Sequence, residues 1–220
     1  MPQPLYVFDM DDTLIDGDCS MLWNQYLVNK GIVTSPDFLE TDKRLMDLYS
    51  IGKMDMEEYL EFFMQPLINI PQQEVNRMVD EFVSDYVKPR VFNEALSLIN
   101  DLKAQSHTML IISATVSFIV RKVAVSLGVS EAIGIDMVIQ NDRYTSKIEG
   151  VPSYREGKIK RLKDWIGQEE NKYTSVHFYT DSINDLPLCE YSDYTYLINP
   201  CTQLKKEANS RPWQIYHWGK

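Results

Sequence analysis

The sequence predicts an α/β protein, a doubly wound parallel sheet interrupted by an inserted α-helical cap domain, and three observations predict it. Short apolar runs, "LYVF" (5–8), "TMLIISA" (108–114), "IGIDMVI" (133–139), "VHFYT" (176–180) and "YTYLI" (194–198), have the length and composition of buried strands. Helix-length segments separate these runs from residue 91 onward, the alternation that builds a parallel sheet covered on both faces. A long block of helical pattern lies between the first strand and all the others, so the first strand must pair with strands far down the chain.

The elements follow in order. Residues 5–8 read as a buried strand ending at Asp9, and residues 18–87 read as helical throughout. Within that block Ser35-Pro36 has the form of an N-cap with proline at the first helical position. Asp55 with Glu58 resembles a capping box, and Pro71 begins a further helix. From there Val75, Met78, Val79, Phe82, Val83, Tyr86 and Val87 recur at helical spacing as one apolar stripe, the core of a helical bundle. Lys88-Pro89-Arg90 ends the block. A helix (91–105), the strand at 108–114, a helix (116–128) and the strand at 133–139 come next. Turn residues in "QNDRYTSKIEG" (140–150) predict a short hairpin or flap. A basic helix (154–167), the strand at 176–180, a helix (183–191) and the strand at 194–198 complete the pattern. The expected division is a core of 1–15 and 89–220 with a cap of 16–88.

Composition narrows the function. The chain has 220 residues, 44% hydrophobic and 25% charged, as in ordinary globular proteins. A net charge of −10 argues against nucleic acid and anionic membranes as partners. It leaves room for a small phosphorylated metabolite, which responds to local charge. Cys19, Cys189 and Cys201 form no CxxC pair, so neither structural zinc nor a disulfide framework is expected. No leader or membrane-length apolar run is visible, and the cytoplasm is the expected location.

In open α/β sheets, ligands bind beyond the carboxyl ends of the strands. There the sequence puts Asp9-Met10-Asp11-Asp12-Thr13, Ser113-Ala114-Thr115 and Asp181-Ser182-Ile183-Asn184-Asp185, with Lys158 near the start of the basic helix. Carboxylates gathered without His or Cys call for a hard cation, and magnesium is the natural one. The bland alternatives are solvated turn residues for Asp11, Asp12 and Asp16 and a helix cap for Ser113. A solvated basic face for Lys158 and helix-start acids for Asp181 and Asp185 complete them. Convergence on one edge favours chemistry for Asp9, Asp11, Ser113, Lys158, Asp181 and Asp185, and leaves Asp12 and Asp16 structural. His107, His177 and His217 lack triad-like partners and are given no catalytic role.

"FDMDDTL", "SAT", "REGK" and "TDSINDLPL" resemble, in order, the four motifs of the haloacid dehalogenase superfamily of phosphohydrolases. The insertion after the first motif is similar to the phosphoserine-phosphatase-like branch. "DGDCSMLW", "GVPSYREGK" and "INP" most resemble a bacterial group that includes histidinol-phosphate phosphatases. The resemblance implies a Mg²⁺-dependent phosphomonoesterase acting through an aspartyl-phosphate. Asp9 would be nucleophile, and Asp11 general acid and then base. Ser113, Ala114 and Lys158 would hold the phosphate. Asp9, Asp181 and the Asp11 carbonyl would bind Mg²⁺, with Asp185 in support. Asp18, seven residues after Asp11, matches an acid that meets the substrate's ammonium in phosphoserine phosphatases, and an N-cap role is the alternative. Arg155 is a further candidate at the site mouth. Ser113-Ala114-Thr115 departs from the Ser-Gly-Gly of phosphoserine phosphatases, which favours histidinol phosphate over phosphoserine. Alternatives are a phosphotransferase using the same intermediate and a catalytically idle phosphate-binding protein.

Overall fold

Strand β1 (Gln3–Phe8) is followed by α1 (Cys19–Asn29), α2 (Phe38–Ser50), α3 (Met56–Met64) and α4 (Gln72–Phe82). Then come α5 (Asn93–Ala104), β2 (Thr108–Val116), α6 (Ser117–Leu127), β3 (Glu131–Ile135), β4 (Met137–Gln140) and β5 (Arg143–Ile148). The chain continues through α7 (Glu156–Gln168), β6 (Tyr173–Thr180), α8 (Leu186–Tyr191), β7 (Tyr194–Ile198), α9 (Thr202–Ala208) and β8 (Gln214–Tyr216). The structure is a computed structural model, and it describes residues 3–169 and 173–219.

Six strands form one sheet in the order β3-β2-β1-β6-β7-β8, every pairing parallel. β1 is therefore central, held between two strands that follow it by a hundred residues or more. Side-chain alternation distributes it between two cores. Leu5 and Val7 pack with Leu162 of α7, Leu188 of α8 and Leu204 of α9. Phe8 joins the opposite cluster with Ile99 of α5 and Ile119 of α6. This is the doubly wound α/β fold expected.

The block between β1 and α5 is helical, and its apolar stripe lies where the periodicity predicts. Val75, Met78, Val79 and Phe82 are buried, and a five-residue π-helical turn (Val83–Val87) continues the stripe. Phe82 meets Trp23, Tyr26 and Tyr86 at ring-centroid distances of 5.2, 5.9 and 5.9 Å. Trp23 also meets Phe118 of α6, edge to face at 6.4 Å, so the helical block and the sheet layer share one apolar cluster. Phe82→Ala should cost about 3–5 kcal/mol in urea unfolding, since the fully buried ring leaves a cavity among rigid aromatic neighbours.

Three local expectations are corrected. The apolar run 133–139 is not one strand: β3 pairs with β2, whereas β4 forms an antiparallel hairpin with β5. Asp136 separates them because its carboxylate takes Arg121 (2.8 Å) and Arg161 (2.7 Å), a demand a strand interior does not meet. The second helix starts at Phe38 with Asp37 at the N-cap, not at Ser35-Pro36. Helix α9 and edge strand β8 lie beyond the last predicted strand. Asp55 caps α3 as expected, its Oδ1 accepting the Glu57 and Glu58 amides.

Candidate active site

Phe8 pairs with Ile111 of β2 and Tyr179 of β6, which brings the three strand ends to one edge. Asp9 is fixed there by its amide, which donates to the Tyr179 carbonyl (2.9 Å), and its side chain is buried. The chain then turns sharply. Asp12 adopts a left-handed φ of 52°, which Asp tolerates better than most residues, and its side chain faces solvent. The turn folds Thr13 back beneath the strand end. Its hydroxyl lies 3.2 Å from Asp9 Oδ2 and 3.3 Å from Asp181 Oδ1. Two acids separated by most of the chain thus meet at one hydroxyl.

Lys158 arrives from α7. A Cβ on Gly157 would sit 2.0 Å from the Pro152 carbonyl oxygen, so only glycine lets the start of α7 press against that loop. The Lys158 ammonium, 1% exposed, lies 2.8 Å from Asp9 Oδ1 and 2.7 Å from Asp185 Oδ1. Thr180 donates to Asp185 Oδ2 (2.6 Å), completing a buried chain of contacts. Burial pushes the ammonium down, but Asp185 and Asp9 outweigh it and hold Lys158 above its ordinary value. Burial also raises the Asp9 carboxyl to about 7, against the pull of Lys158. Asp181 is driven well above the usual carboxylate range by burial and then by Asp9.

Asp11 faces a different set. Its Oδ1 accepts the Cys19 amide (2.7 Å), and its Oδ2 accepts the hydroxyls of Ser113 (2.9 Å) and Thr115 (2.8 Å). The Ser113 carbonyl is tied to the Ser153 hydroxyl at 2.6 Å, and Ala114 lies half-buried between the two hydroxyl residues. Hydroxyls can donate to a carboxylate or accept from a carboxylic acid, so two of the three partners suit either protonation state of Asp11. Behind Thr115, the Ser20 hydroxyl of α1 lies 3.2 Å from its Oγ1, which links the helical block to the Asp11 shell.

The remaining candidates sit at the seam. Asp18 Oδ1 accepts the Met21 amide (2.9 Å) as the N-cap of α1. Burial, then the charge of Asp11, raises the Asp18 carboxyl well above its usual range. The Arg155 guanidinium reaches the Gly52 carbonyl of the helical block (3.2 Å) rather than any of the acids around Asp9. Beside it, Asn184 Nδ2 donates to the Tyr49 carbonyl (2.9 Å), and the Tyr49 and Tyr154 rings lie 5.7 Å apart. Burial, then Asp185, Asp9, Asp18 and Asp181, hold the Tyr49 phenol well above its ordinary value.

Whether a cation suits this edge can be judged from charge and donor type. Two carboxylates, Asp9 buried and Asp181 half-buried, flank one hydroxyl, and Lys158 is shared between Asp9 and Asp185. Among the described residues no three His, Cys, Asp or Glu side chains gather into a cage. Magnesium does not need one: it takes one or two carboxylates and keeps places for water and phosphate oxygens. The residues fit it.

Sequence reasoning missed Thr13, Thr115, Thr180, Tyr49 and Asn184. All but Tyr49 lie inside the motifs, and for the three threonines a hydroxyl beside a cluster of acids was the available signal. Nothing in the sequence marks Tyr49, which reaches the site only through helix packing.

A family model described as haloacid dehalogenase-like hydrolase matches residues 6–190. The chain is 32% identical to the histidinol-phosphatase of Neisseria meningitidis serogroup C (strain 8013) over 97% of this chain and 98% of that protein. A Bordetella pertussis Tohama I protein of unknown function superposes with a TM-score of 0.89 at 30% identity, covering 98% of both chains. A substrate-bound phosphoserine phosphatase has the same fold, with a TM-score of 0.69 at 17% identity over 98% of this chain and 93% of its own.

Proposed function

We propose, from the premise that this chain belongs to the haloacid dehalogenase-like hydrolase family and is a phosphatase, that it hydrolyses the phosphate monoester of a small amino alcohol through a phosphorylated Asp9. The Thr13 hydroxyl within 3.3 Å of both Asp9 and Asp181 carries the reading, because it supports one ion being shared by those two carboxylates. Magnesium held by Asp9, Asp181 and the Asp11 carbonyl would supply charge neutralisation and anchor a phosphate oxygen.

The protein groups divide the work. An Asp9 carboxylate oxygen attacks phosphorus in line with the leaving alcohol oxygen, and Lys158 offsets the negative charge that gathers there. Asp11 gives its proton to that oxygen as the P–O bond breaks. In the second step water attacks the phosphorylated Asp9, and Asp11 takes the proton that water loses. General acid–base help of this kind contributes about 10²–10⁴-fold. Ser113 leaves Asp11 to meet a phosphate oxygen when substrate binds. Asp185 and Thr180 keep Lys158 in place.

Asp9 is 6% exposed and Lys158 1%, so substrate entry requires the helical block to swing away as a cap. The contacts of Asn184 with Tyr49 and Arg155 with Gly52 act as the closing latch. The amino-alcohol assignment draws on the histidinol-phosphatase relative and on Asp18, and the three free cysteines suit a reducing cytoplasm.

A panel of phosphorylated metabolites with Mg²⁺ tests the assignment. The highest kcat/KM is expected for histidinol phosphate; a preference for phosphoserine would keep the amino-alcohol class and change its member, and a preference for phosphosugars would reject the assignment. Thr115→Val, which keeps the shape and deletes one donor to Asp11, should lower kcat by about tenfold with little change in KM. An unaltered kcat would show that Asp11 does not depend on Thr115.

A further inference from the structure

Among the described residues, three helices of the cap bury polar groups that find no hydrogen-bond partner. Asn24 of α1 is fully buried, and neither Oδ1 nor Nδ2 has a hydrogen bond. Asp42 of α2, 2% exposed, has an unpartnered Oδ1, and Tyr59 of α3, 4% exposed, has an unpartnered hydroxyl. Such groups are costly to bury, and protein interiors satisfy the great majority of them.

The three lie together. The Asn24 amide is near enough to pull the Asp42 carboxyl down, although burial wins and raises it to about 6. Burial, then the charges of Asp18 and Asp42, hold the Tyr59 phenol well above its ordinary value, with Ser20 opposing. They also adjoin the catalytic edge: Ser20, one turn before Asn24 on α1, has its hydroxyl 3.2 Å from that of Thr115, which donates to Asp11. Among the described residues neither Asp18 nor Asp42 has an ion-pair partner. A carboxylate, a carboxamide and a phenol without a cation make a set rich in acceptors. Packing alone gives no reason to retain it; a ligand that donates several hydrogen bonds does.

We infer that Asn24, Asp42 and Tyr59 form a subsite for a cationic, hydrogen-bond-donating group, the nitrogen-bearing end of the phosphorylated substrate. The inference rests on the phosphatase reading above and adds to it the residues that choose the leaving alcohol. Asp42 takes the positive charge, Asn24 Oδ1 accepts a further N–H, and the Tyr59 hydroxyl turns to whichever lone pair or proton remains. When substrate is absent the site stays polar, buried and unpaired, so it costs stability in exchange for selectivity.

The test compares kcat/KM for histidinol phosphate with kcat/KM for 4-nitrophenyl phosphate, which carries no cationic nitrogen. In Asp42→Asn the ratio should fall roughly 10- to 100-fold, the worth of a charge-assisted hydrogen bond, and in Tyr59→Phe it should fall less. Misfolding lowers both rates together and leaves the ratio unmoved. Substrate-free Asp42→Asn should also melt about 2–4 °C higher than the wild type, as neutralising an unpaired buried carboxylate predicts. A ratio unchanged within about threefold in both variants while 4-nitrophenyl phosphate turnover stays at the wild-type level, or a lower melting point for Asp42→Asn, would overturn the subsite. Aryl phosphate turnover that survives Asp9→Asn would instead overturn the phosphatase mechanism, so the two failures are distinct.

Discussion

Asp9→Asn is expected to remove phosphatase turnover, with kcat falling on the order of 10⁴-fold or more, as for other nucleophile deletions. The amide matches the carboxylate in shape but does not attack phosphorus, so substrate binding should survive while no phosphoenzyme forms. Loss of activity would not reflect unfolding, and linkage gives the reason. Burial raises the Asp9 carboxyl from 3.8 to about 7, so the metal-free folded state holds that proton more tightly than the unfolded chain does. Its contribution to stability is most favourable below 3.8 and is lost as pH rises towards 7. In EDTA at pH 8 the Asn variant should therefore be at least as stable as the wild type in urea unfolding. A variant that stays folded yet keeps measurable burst phosphorylation would reject Asp9 as nucleophile.

Lys158→Met has the second large effect, and here stability and activity fall together. The ammonium sits 2.8 Å from Asp9 and 2.7 Å from Asp185, with 1% of Lys158 exposed. Deleting one partner of a buried ion pair costs about 3–5 kcal/mol, because the carboxylates left behind have neither water nor a cation. Methionine fills the volume, so the loss is electrostatic rather than a cavity. The deficit should shrink between pH 8 and pH 5, since a protonated carboxyl does not need the ammonium. Turnover should fall about 10²–10³-fold even under conditions where the variant is folded, the size of effect seen when one preorganised charge-stabilising group is removed. Equal stability of variant and wild type at pH 8 would contradict the buried position of Lys158.

Much of this was readable before the fold was known, for particular reasons. Asp9, Ser113 and Asp181 each follow a buried apolar run, so recognising the strands was enough to place them on one edge. Lys158 was readable from its Glu-Gly-Lys context and the motif resemblance, and the structure adds why glycine precedes it: the missing Cβ lets α7 approach the loop at Pro152. The strand break at Asp136 was not readable, because the run from Ile133 to Ile139 is apolar on both sides of it, and only Arg121 and Arg161, brought in by packing, explain its place. Tyr49, Asn24, Asp42 and Tyr59 were hidden for the same reason. Helical periodicity says which residues face inward, but not which inward-facing polar group will meet another helix, or a catalytic acid, across a packed interface. Arg155 shows the converse: three residues before Lys158, it was a candidate at the site mouth, and the folded chain turns it to the Gly52 carbonyl.

The most direct test of a shared ion is Mg²⁺ titration by calorimetry on the wild type, Asp9→Asn and Asp181→Asn. One equivalent should bind to the wild type, and each single variant should lose that binding while remaining folded. Stoichiometric Mg²⁺ binding that persists in either variant would contradict an ion held between Asp9 and Asp181.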